Sequence, residues 1–246
     1  MKALGLIGHP IGHSKSPNLF KTKLASINRS DVEYEAYDLE DIELFDEFVK
    51  SNQNLKGLNV TIPYKKSIIP KLCCLDEEAK AVGAVNTLVK TENGWKGFNT
   101  DLYGFSNSIK PFLKGIHSRA LIFGSGGASK AVEYALKNLG VDAVVVSRTP
   151  SDKQIGYEEL SVEAFSHYLL LVNCTPLGTW PNIDDCVSIP WDGIGENHFV
   201  VDLVYNPEET TFMKNAKKRG AFAMNGSDML RLQAKRSLEI WLEHGL

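Results

Sequence analysis

The sequence has no long hydrophobic run, no excess of charge of either sign and no low-complexity tract. No apolar segment approaches the roughly 20 residues that a helix needs to cross a bilayer, and the apolar run after Met1 is too short for a secretory signal peptide. The formal net charge is only −3, which argues against a surface that binds nucleic acid or anionic membranes. We therefore expect a small-molecule partner and neither a nucleic-acid nor a membrane partner.

Cysteine is also scarce, and its spacing excludes two common kinds of site. The chain has four cysteines, Cys73, Cys74, Cys174 and Cys186, with no C-x-x-C pair and no Cys/His group at metal-ligand spacing. We predict no bound metal and reduced thiols, as in the cytoplasm. The 246 residues, of which 43% are hydrophobic, suffice for one large domain or two modest ones.

The most informative pattern that is present is a glycine-rich turn, Gly124-Ser125-Gly126-Gly127-Ala128. An apolar strand, 120–123, precedes it, an amphipathic helical pattern follows, and a second strand covers 141–146. Strand, turn, helix and strand form the βαβ context of a dinucleotide site, in which backbone N–H groups and the helix N-terminus bind a pyrophosphate. The third glycine position of that motif holds Ser129, and the alternative is a tight turn that binds nothing.

The end of the second strand indicates which dinucleotide would bind. An NAD enzyme places an acidic residue there to hold the ribose 2′-hydroxyl, whereas this strand ends in Ser147-Arg148-Thr149, with no carboxylate before Asp152. A guanidinium and a hydroxyl suit a 2′-phosphate, which a carboxylate would repel. The pattern favours NADP, and the alternative for Arg148 is an ordinary solvated charge.

Two polar turns follow predicted strands near the start of the chain. After strand 2–8, Ser16 is predicted to cap a helix that begins with Pro17; Ser14 has no such duty and is the better candidate for binding a carboxylate at the helix N-terminus. The strand near 57–62 is predicted to lead into a helix that begins at Pro63. Lys65 or Lys66 then lies at the sheet edge where open α/β sheets bind ligands, and spacing does not distinguish them.

A predicted hairpin brings further polar residues together. Asn93-Gly94 separates two strand-like runs, which is a strong hairpin signal. The hairpin would bring the pairs Asn86-Thr87 and Asn99-Thr100, together with Asp101, to one edge. Asp101 also precedes a helical stretch, 102–114, so helix capping is an equally reasonable role for it.

The last predicted elements are two buried strands, 169–173 and 199–203, and a helix over 228–244. The strands run into the polar loops 174–178 and 204–207, which we expect on the cofactor side of the sheet. Gln233 lies within the apolar face of the helix. A buried Gln needs hydrogen-bond partners, either the backbone or a ligand hydroxyl.

Together these segments resemble the shikimate dehydrogenase family. Besides the glycine turn, the resemblance rests on stretches spread almost end to end: 10–17 (PIGHSKSP), 59–65 (NVTIPYK), 83–87 (GAVNT), 97–101 (GFNTD), 202–207 (DLVYNP) and 229–234 (MLRLQA). The resemblance implies an α/β, two-domain fold: an N-terminal α/β substrate domain, a Rossmann-type dinucleotide-binding domain, and a C-terminal helix that packs back on the first domain. We expect these at 1–101, 102–225 and 226–246, in a monomer or homodimer.

The resemblance also implies an activity and its residues. The activity is the reversible NADPH-dependent reduction of 3-dehydroshikimate to shikimate, a step of aromatic amino acid biosynthesis. Lys65 and Asp101 would be the catalytic pair, which chooses Lys65 over Lys66. The implied substrate-binding residues are Ser14, Ser16, Thr61, Asn86, Asp101, Tyr205 and Gln233. The implied NADP-binding residues are Gly124, Ser125, Gly126, Gly127, Ala128, Ser147, Arg148, Thr149, Gly226 and Met229.

The sequence departs from the family pattern in three places. Phe20-Lys21 replaces the usual His-Asn, Asp152 stands where a basic residue is usual, and Gly226-Ser227-Asp228 is more polar than expected. Two alternatives share the scaffold: a quinate/shikimate dehydrogenase, and a regulator that binds a metabolite without turnover. An NAD-using quinate enzyme should carry an acidic residue near 147, and a silent regulator should lack the Lys/Asp pair.

The cofactor interpretation predicts the effect of Arg148→Ala. A charge-assisted hydrogen bond is worth about 1.5–3 kcal/mol, so the KM for NADPH should rise roughly tenfold or more, while the KM for NADH should change little. Steady-state kinetics with both cofactors measure this. Equal effects on both would mean that Arg148 does not contact the 2′-phosphate.

Overall fold

The computed structural model describes residues 1–12, 14–151 and 153–246. His13 and Asp152 lie outside the described residues, so the departure at Asp152 has no structural account. The chain forms two compact units, Met1–Gly104 with Arg231–Leu246, and Phe105–Leu230. No helix within the described ranges combines the length and the apolar character that crossing a membrane requires.

The first unit is built on a mixed six-stranded sheet with the order β2-β1-β3-β5-β6-β4. Its strands are β1 (Lys2–Gly8), β2 (Val32–Asp38), β3 (Leu55–Val60), β4 (Cys74–Leu75), β5 (Thr87–Thr91) and β6 (Gly94–Phe98). β1 pairs in parallel with β2 and β3, whereas β5 pairs antiparallel with β3 and β6. The predicted hairpin is therefore confirmed, and it places the ends of β3, β5 and β6 side by side.

The second unit is built on a six-stranded, wholly parallel sheet with the order β12-β11-β10-β7-β8-β9. Its strands are β7 (Arg119–Phe123), β8 (Asp142–Val146), β9 (Gln154–Ile155), β10 (Leu170–Asn173), β11 (Phe199–Asp202) and β12 (Phe222–Met224). The central strands β7, β10 and β11 are almost entirely buried, as expected where both faces of a parallel sheet are covered.

Seven α-helices complete the described part of the chain. They are α1 (Ser16–Ser26), α2 (Phe45–Ser51), α3 (Glu77–Val82), α4 (Thr100–Ile109), α5 (Gly127–Asn138), α6 (Thr211–Lys217) and α7 (Ser227–Glu243). The α/β class, the Rossmann-type unit and the return of the C-terminal helix to the first unit are all as predicted from the sequence.

The C-terminal helix joins the core of the first unit through Trp241, which is buried. Its indole Nε1 donates to the Leu88 carbonyl at 2.9 Å, and its ring lies against Phe20, with 5.2 Å between ring centroids. Gly57 faces this indole so closely that a Cβ there would collide with the ring. The glycine in β3 therefore provides the space that the tryptophan occupies.

Two local predictions near polar turns were wrong. No α-helix begins at Pro63: the chain makes successive turns up to a short 3-10 segment, Ile69–Lys71. Ser16 does not cap α1, because it is the first helical residue and Lys15 precedes it. Instead the Ser14 hydroxyl accepts the Ser16 N–H at 3.2 Å, so Ser14 satisfies one backbone donor at the start of α1.

The contact between Gly57 and Trp241 predicts that Gly57→Ala destabilises the protein. Overpacking a buried site costs about 1–3 kcal/mol, so the free energy of unfolding should fall by that amount, as measured by urea denaturation followed by tryptophan fluorescence. Gly195→Ala is the matched control, because a Cβ there would meet no atom within 4 Å. Equal losses in the two variants would contradict the prediction.

Candidate active site

The centre of the candidate site is an ion pair between Lys65 and Asp101. Lys65 lies in the turn after β3, where its carbonyl accepts the Val85 N–H at 2.7 Å and so ties the turn to the neighbouring chain. Its Nζ donates to Asp101 Oδ2 at 2.7 Å, and the two side chains are only 18% and 7% exposed. Lys and Asp side chains are seldom this well shielded from water unless they are paired. The pair joins two residues that are 36 positions apart.

Asp101 is not the cap of helix α4. The side-chain oxygen of Asn99 accepts the Leu102 N–H at 3.2 Å, and its amide donates to the Ala84 carbonyl at 2.8 Å. Asn99 therefore satisfies the exposed donor at the helix start. The carboxylate of Asp101, one residue into the helix, faces Lys65 instead. This geometry excludes helix capping as the role of Asp101.

Asn86 connects the hairpin to the start of the same helix. Its Oδ1 accepts the Thr100 N–H at 2.7 Å, and its Nδ2 donates to Thr100 Oγ1 at 3.0 Å. Thr100 and Asp101 are consecutive, so this double contact also fixes the backbone that carries the carboxylate. Asn86, Thr100 and Asp101 are all buried. The expectation that the hairpin brings these polar residues to one edge is confirmed.

A buried network of hydroxyls and amides extends from this point to the C-terminal helix. Ser237 Oγ lies 2.8 Å from Thr87 Oγ1 and 3.1 Å from Thr100 Oγ1, and it accepts from the Asn59 amide at 3.1 Å. Among the described residues, no buried side-chain nitrogen or oxygen is left without a hydrogen bond. Because each member has several partners, the network holds two strands, β3 and β5, and two helices, α4 and α7, in a single arrangement.

Gln233 stands at the edge of this network, one helical turn before Ser237. It is half-buried, and its Oε1 accepts from Thr100 Oγ1 at 3.4 Å. Gln233 thus contacts a side chain of the candidate site.

Ser16, at the start of α1, approaches the same region through Tyr34. The Tyr34 hydroxyl donates to Asn59 Oδ1 at 2.8 Å and also makes a hydrogen bond with the Ser16 side chain. Burial raises the pKa of Tyr34 well above its usual value, so the phenol stays protonated. Thr61, which follows β3, is half-buried and donates its N–H to the Ile7 carbonyl at 2.9 Å.

In the second unit, the glycine turn begins helix α5 with its backbone donors uncovered. Gly126 precedes the helix, and no side chain caps it. Gly124 has φ +101°, a conformation that favours glycine, and a Cβ there would lie 3.0 Å from Thr175 Cγ2. Open space surrounds the Cβ position of Gly126. Uncapped N–H groups at the positive end of a twelve-residue helix suit a pyrophosphate. The residues present therefore fit a dinucleotide.

Ser147 and Arg148 directly follow β8. Ser147 is buried, its Oγ is 3.2 Å from Ser125 Oγ, and it accepts the Thr149 N–H at 3.3 Å. The contact between the two hydroxyls places the end of β8 beside the glycine turn. Arg148 and Thr149 are exposed. The small Ser129 that replaces the third glycine is 2% exposed, so its size suits close packing of α5.

The remaining predicted residues also lie in the second unit. Tyr205 is half-buried, and Met229 is buried on α7. Gly226 is buried against the Leu203 carbonyl, which a Cβ would strike, so no other residue fits there without a shift of the backbone. Tyr205 is thus in a different unit from the other predicted substrate-binding residues.

Sequence reasoning missed the polar residues that support these loops. Asp202 Oδ1 accepts from the Asn173 amide at 2.9 Å, and Asn173 Oδ1 accepts from Thr175 Oγ1 at 2.6 Å. The methyl group of the same Thr175 lies beside Gly124. Burial raises the pKa of Asp202 to about 6, although hydrogen bonds from Thr210, Val204 and Asn173 act in the opposite direction. Asn173 and Asp202 each end a buried strand, and a buried polar residue needs a hydrogen-bond partner. This position was the signal in the sequence that could have identified them. Asn59 and Ser237 offered a weaker one.

Comparisons with known proteins agree with this architecture. Residues 6–88 match the family described as shikimate dehydrogenase substrate binding domain. Shikimate dehydrogenase (NADP(+)) of Caldanaerobacter subterraneus subsp. tengcongensis is 36% identical, covering 98% of this chain and 91% of its own. The enzyme of the same name from Clostridium botulinum is also 36% identical, covering 100% and 98%.

A solved structure gives the same result at the level of the fold. Shikimate 5-dehydrogenase of Thermus thermophilus, in complex with NADP(H) and shikimate, superimposes with a TM-score of 0.87 at 31% identity, over 99% of this chain and 94% of that one. Identity above 30% over nearly the whole length, together with the match of the substrate-domain residues, shows that this chain belongs to the shikimate dehydrogenase family.

Proposed function

We propose that this protein is an NADP-dependent shikimate dehydrogenase, which reversibly reduces 3-dehydroshikimate to shikimate in aromatic amino acid biosynthesis. The observation that carries the proposal is the Lys65–Asp101 pair, with 2.7 Å between Nζ and Oδ2, in a first unit whose residues match the family's substrate-binding domain. The names of the relatives support the cofactor, and the Thermus thermophilus complex holds both NADP(H) and shikimate.

Reduction of a ketone needs a hydride at carbon and a proton at oxygen. NADPH supplies the hydride when it is bound. The proton must come from a positioned acid, and we assign this role to Lys65. An ammonium has three N–H donors; one is used on Asp101, which leaves the others for the substrate oxygen. Asp101 then orients Lys65 and stabilises its charged form, and in the oxidation of shikimate the same lysine accepts the proton.

The other polar residues of the first unit bind the substrate in this proposal. Ser14 and Ser16, near the N-terminus of α1, hold the carboxylate, where the helix favours negative charge. Thr61, Asn86, Asp101 and Gln233 bind the ring hydroxyls, and Tyr205 is the remaining residue that we assign to substrate binding. Thr100 engages both Asn86 and Gln233, which keeps these two amides at a constant separation.

The second unit binds NADP in this proposal. Gly124, Ser125, Gly126, Gly127 and Ala128 receive the pyrophosphate, Ser147, Arg148 and Thr149 receive the 2′-phosphate, and Gly226 and Met229 contact the remainder. We keep the functional division at 1–101, 102–225 and 226–246; the compact units change at 104/105 and 230/231, inside helices α4 and α7.

A four-way assay tests the function. Shikimate and quinate, each supplied with NADP⁺ and with NAD⁺, are followed at the nicotinamide absorbance. We expect turnover with shikimate and NADP⁺ to exceed that of the other three combinations. Comparable turnover of quinate would indicate a quinate/shikimate dehydrogenase. Binding of shikimate without turnover in any combination would identify a regulator that has lost catalysis.

The ion pair predicts opposite effects for two neighbouring residues. Asp101→Asn should lower kcat by roughly 10²–10⁴-fold, the usual contribution of general acid–base catalysis, with little change in stability, because Asp101 does not cap α4. Asn99→Ala should instead lower the free energy of unfolding by about 0.5–2 kcal/mol through loss of the cap and leave kcat much less affected. Steady-state kinetics and urea denaturation of both variants measure the contrast.

The proposed partnership is tested with Lys65→Ala and the double variant. Lys65→Ala should cause a fall in kcat similar to that of Asp101→Asn, and the double variant should be little worse than either, since paired groups act as one unit. Independent losses that multiply would show that the residues have separate functions. A fully active Asp101→Asn would remove Asp101 from the mechanism.

A further inference from the structure

Two adjacent thiols lie at the edge of the first unit's sheet, outside the proposed substrate and cofactor sites. Cys73 immediately precedes β4, and Cys74 begins it; β4 is the outermost strand. Both residues are exposed and unpaired, and their sulfur atoms are 3.6 Å apart. Successive side chains of a regular strand point to opposite faces, so this approach requires that Cys73 stands outside the strand.

The backbone here holds the two thiols in place. The Cys73 N–H donates to the Trp95 carbonyl at 2.9 Å, and Cys74 pairs in parallel register with Lys96. The Asp76 N–H, two residues later, donates to the Gly97 carbonyl at 2.9 Å. Both cysteines are therefore anchored to β6, whose other neighbour is β5. The pair is a fixed feature of the sheet edge.

The geometry disfavours a disulfide between them. Consecutive Cα atoms across a trans peptide are about 3.8 Å apart, whereas disulfides usually need about 4.4–6.8 Å. Cys73–Cys74 is not among the cis peptide bonds of the described chain. Oxidation to a disulfide would have to distort the segment that is tied to Trp95 and Gly97, so the pair should persist as a dithiol.

The same geometry suits two bonds to one thiophilic atom. Two sulfurs 3.6 Å apart, each about 2.3 Å from a central atom as in zinc thiolates, subtend roughly 100° at it. That angle is close to the one at a pyramidal or tetrahedral centre. A structural zinc ion needs four ligands, and within the described part of the chain no cluster of three His, Cys, Asp or Glu side chains could hold a metal. The site therefore fits a centre that takes two thiolates and no more.

We propose that Cys73 and Cys74 form a dithiol site that captures trivalent organoarsenicals. Arsenic(III) with one organic substituent has two exchangeable positions. In the reaction the arsenic–oxygen bonds of R–As=O break, two arsenic–sulfur bonds form, and the oxygen leaves as water with the two thiol protons. Nothing is oxidised or reduced, so no further reactant is needed. Simultaneous capture by two fixed sulfurs replaces a second bimolecular step with an intramolecular one.

The charges around the pair do not activate it, and its reactivity toward arsenic comes from the fixed geometry of the two sulfurs. The pKa of Cys74 is raised, first through its hydrogen bond with Cys73, while Lys96 and Lys80 favour its thiolate. Burial raises the pKa of Cys186 to about 11 and also raises that of Cys174, and both residues are less exposed than Cys73 and Cys74. The two thiols of the second unit are therefore less reactive.

Phenylarsine oxide is the probe for this site, with intact-protein mass spectrometry as the readout. We expect the full-length wild type and Cys186→Ser, the matched control, to take up a single phenylarsenic group. That adduct should survive excess 2-mercaptoethanol and be removed by 2,3-dimercaptopropanol. Cys73→Ser and Cys74→Ser should each retain none after 2-mercaptoethanol. Circular dichroism verifies that the variants are folded.

Peptide mapping of the wild type keeps the test independent of the variants. The arsenic should be found on the peptide that contains residues 73 and 74. An adduct located elsewhere, an adduct that persists in either serine variant, or a wild-type adduct stripped by the monothiol would overturn the proposal. So would a Cys73–Cys74 disulfide in the untreated protein. None of these measurements depends on dehydrogenase activity, so they stand apart from the proposed function.

Discussion

The candidate site depends on one local constraint, the double contact between the Asn86 side chain and Thr100. The amide fixes both the backbone N–H and the hydroxyl of Thr100, at 2.7 and 3.0 Å. Asp101 is the next residue, so its carboxylate has little freedom to move away from Lys65. Both members of this contact are buried, where a hydrogen bond is strong and an unpaired polar group is costly. Loss of this double contact would leave several buried polar groups without hydrogen-bond partners.

The C-terminal helix enters the first unit through a complementary fit. Gly57 leaves the space that the Trp241 indole fills, and the indole N–H donates to Leu88. One helical turn earlier, Ser237 contacts Thr87 and Thr100, and one turn before that is Gln233. A helix that is far away in sequence thereby contributes a polar side chain to the same site.

In the second unit, the order of the parallel strands and a few buried side-chain hydrogen bonds position the loops. Its parallel strands end at one edge, so the loops that follow β7, β8, β10 and β11 lie on the same side of the sheet. Asp202 links β11 to β10 through Asn173, and Thr175 then lies against Gly124. The glycine turn is thus supported by a buried carboxylate two strands away. Topology places these loops together, and side-chain hydrogen bonds fix their conformations.

The sequence by itself determined the features that depend on neighbouring residues. The strand, glycine turn and helix around Gly124, the hairpin at Asn93-Gly94 and the long C-terminal helix all follow from local periodicity and turn preference. Motifs in the right order also indicated the two-domain fold. Tertiary structure decided the roles for which several residues compete. Asn99 rather than Asp101 caps α4, the Ser14 hydroxyl rather than that of Ser16 accepts a hydrogen bond at the start of α1, and the segment after Pro63 makes turns. Lys65 meets Asp101 across 36 positions of sequence. Hydrogen bonds between distant strands decide such choices, because a local pattern specifies which groups need partners but not which partner is within reach.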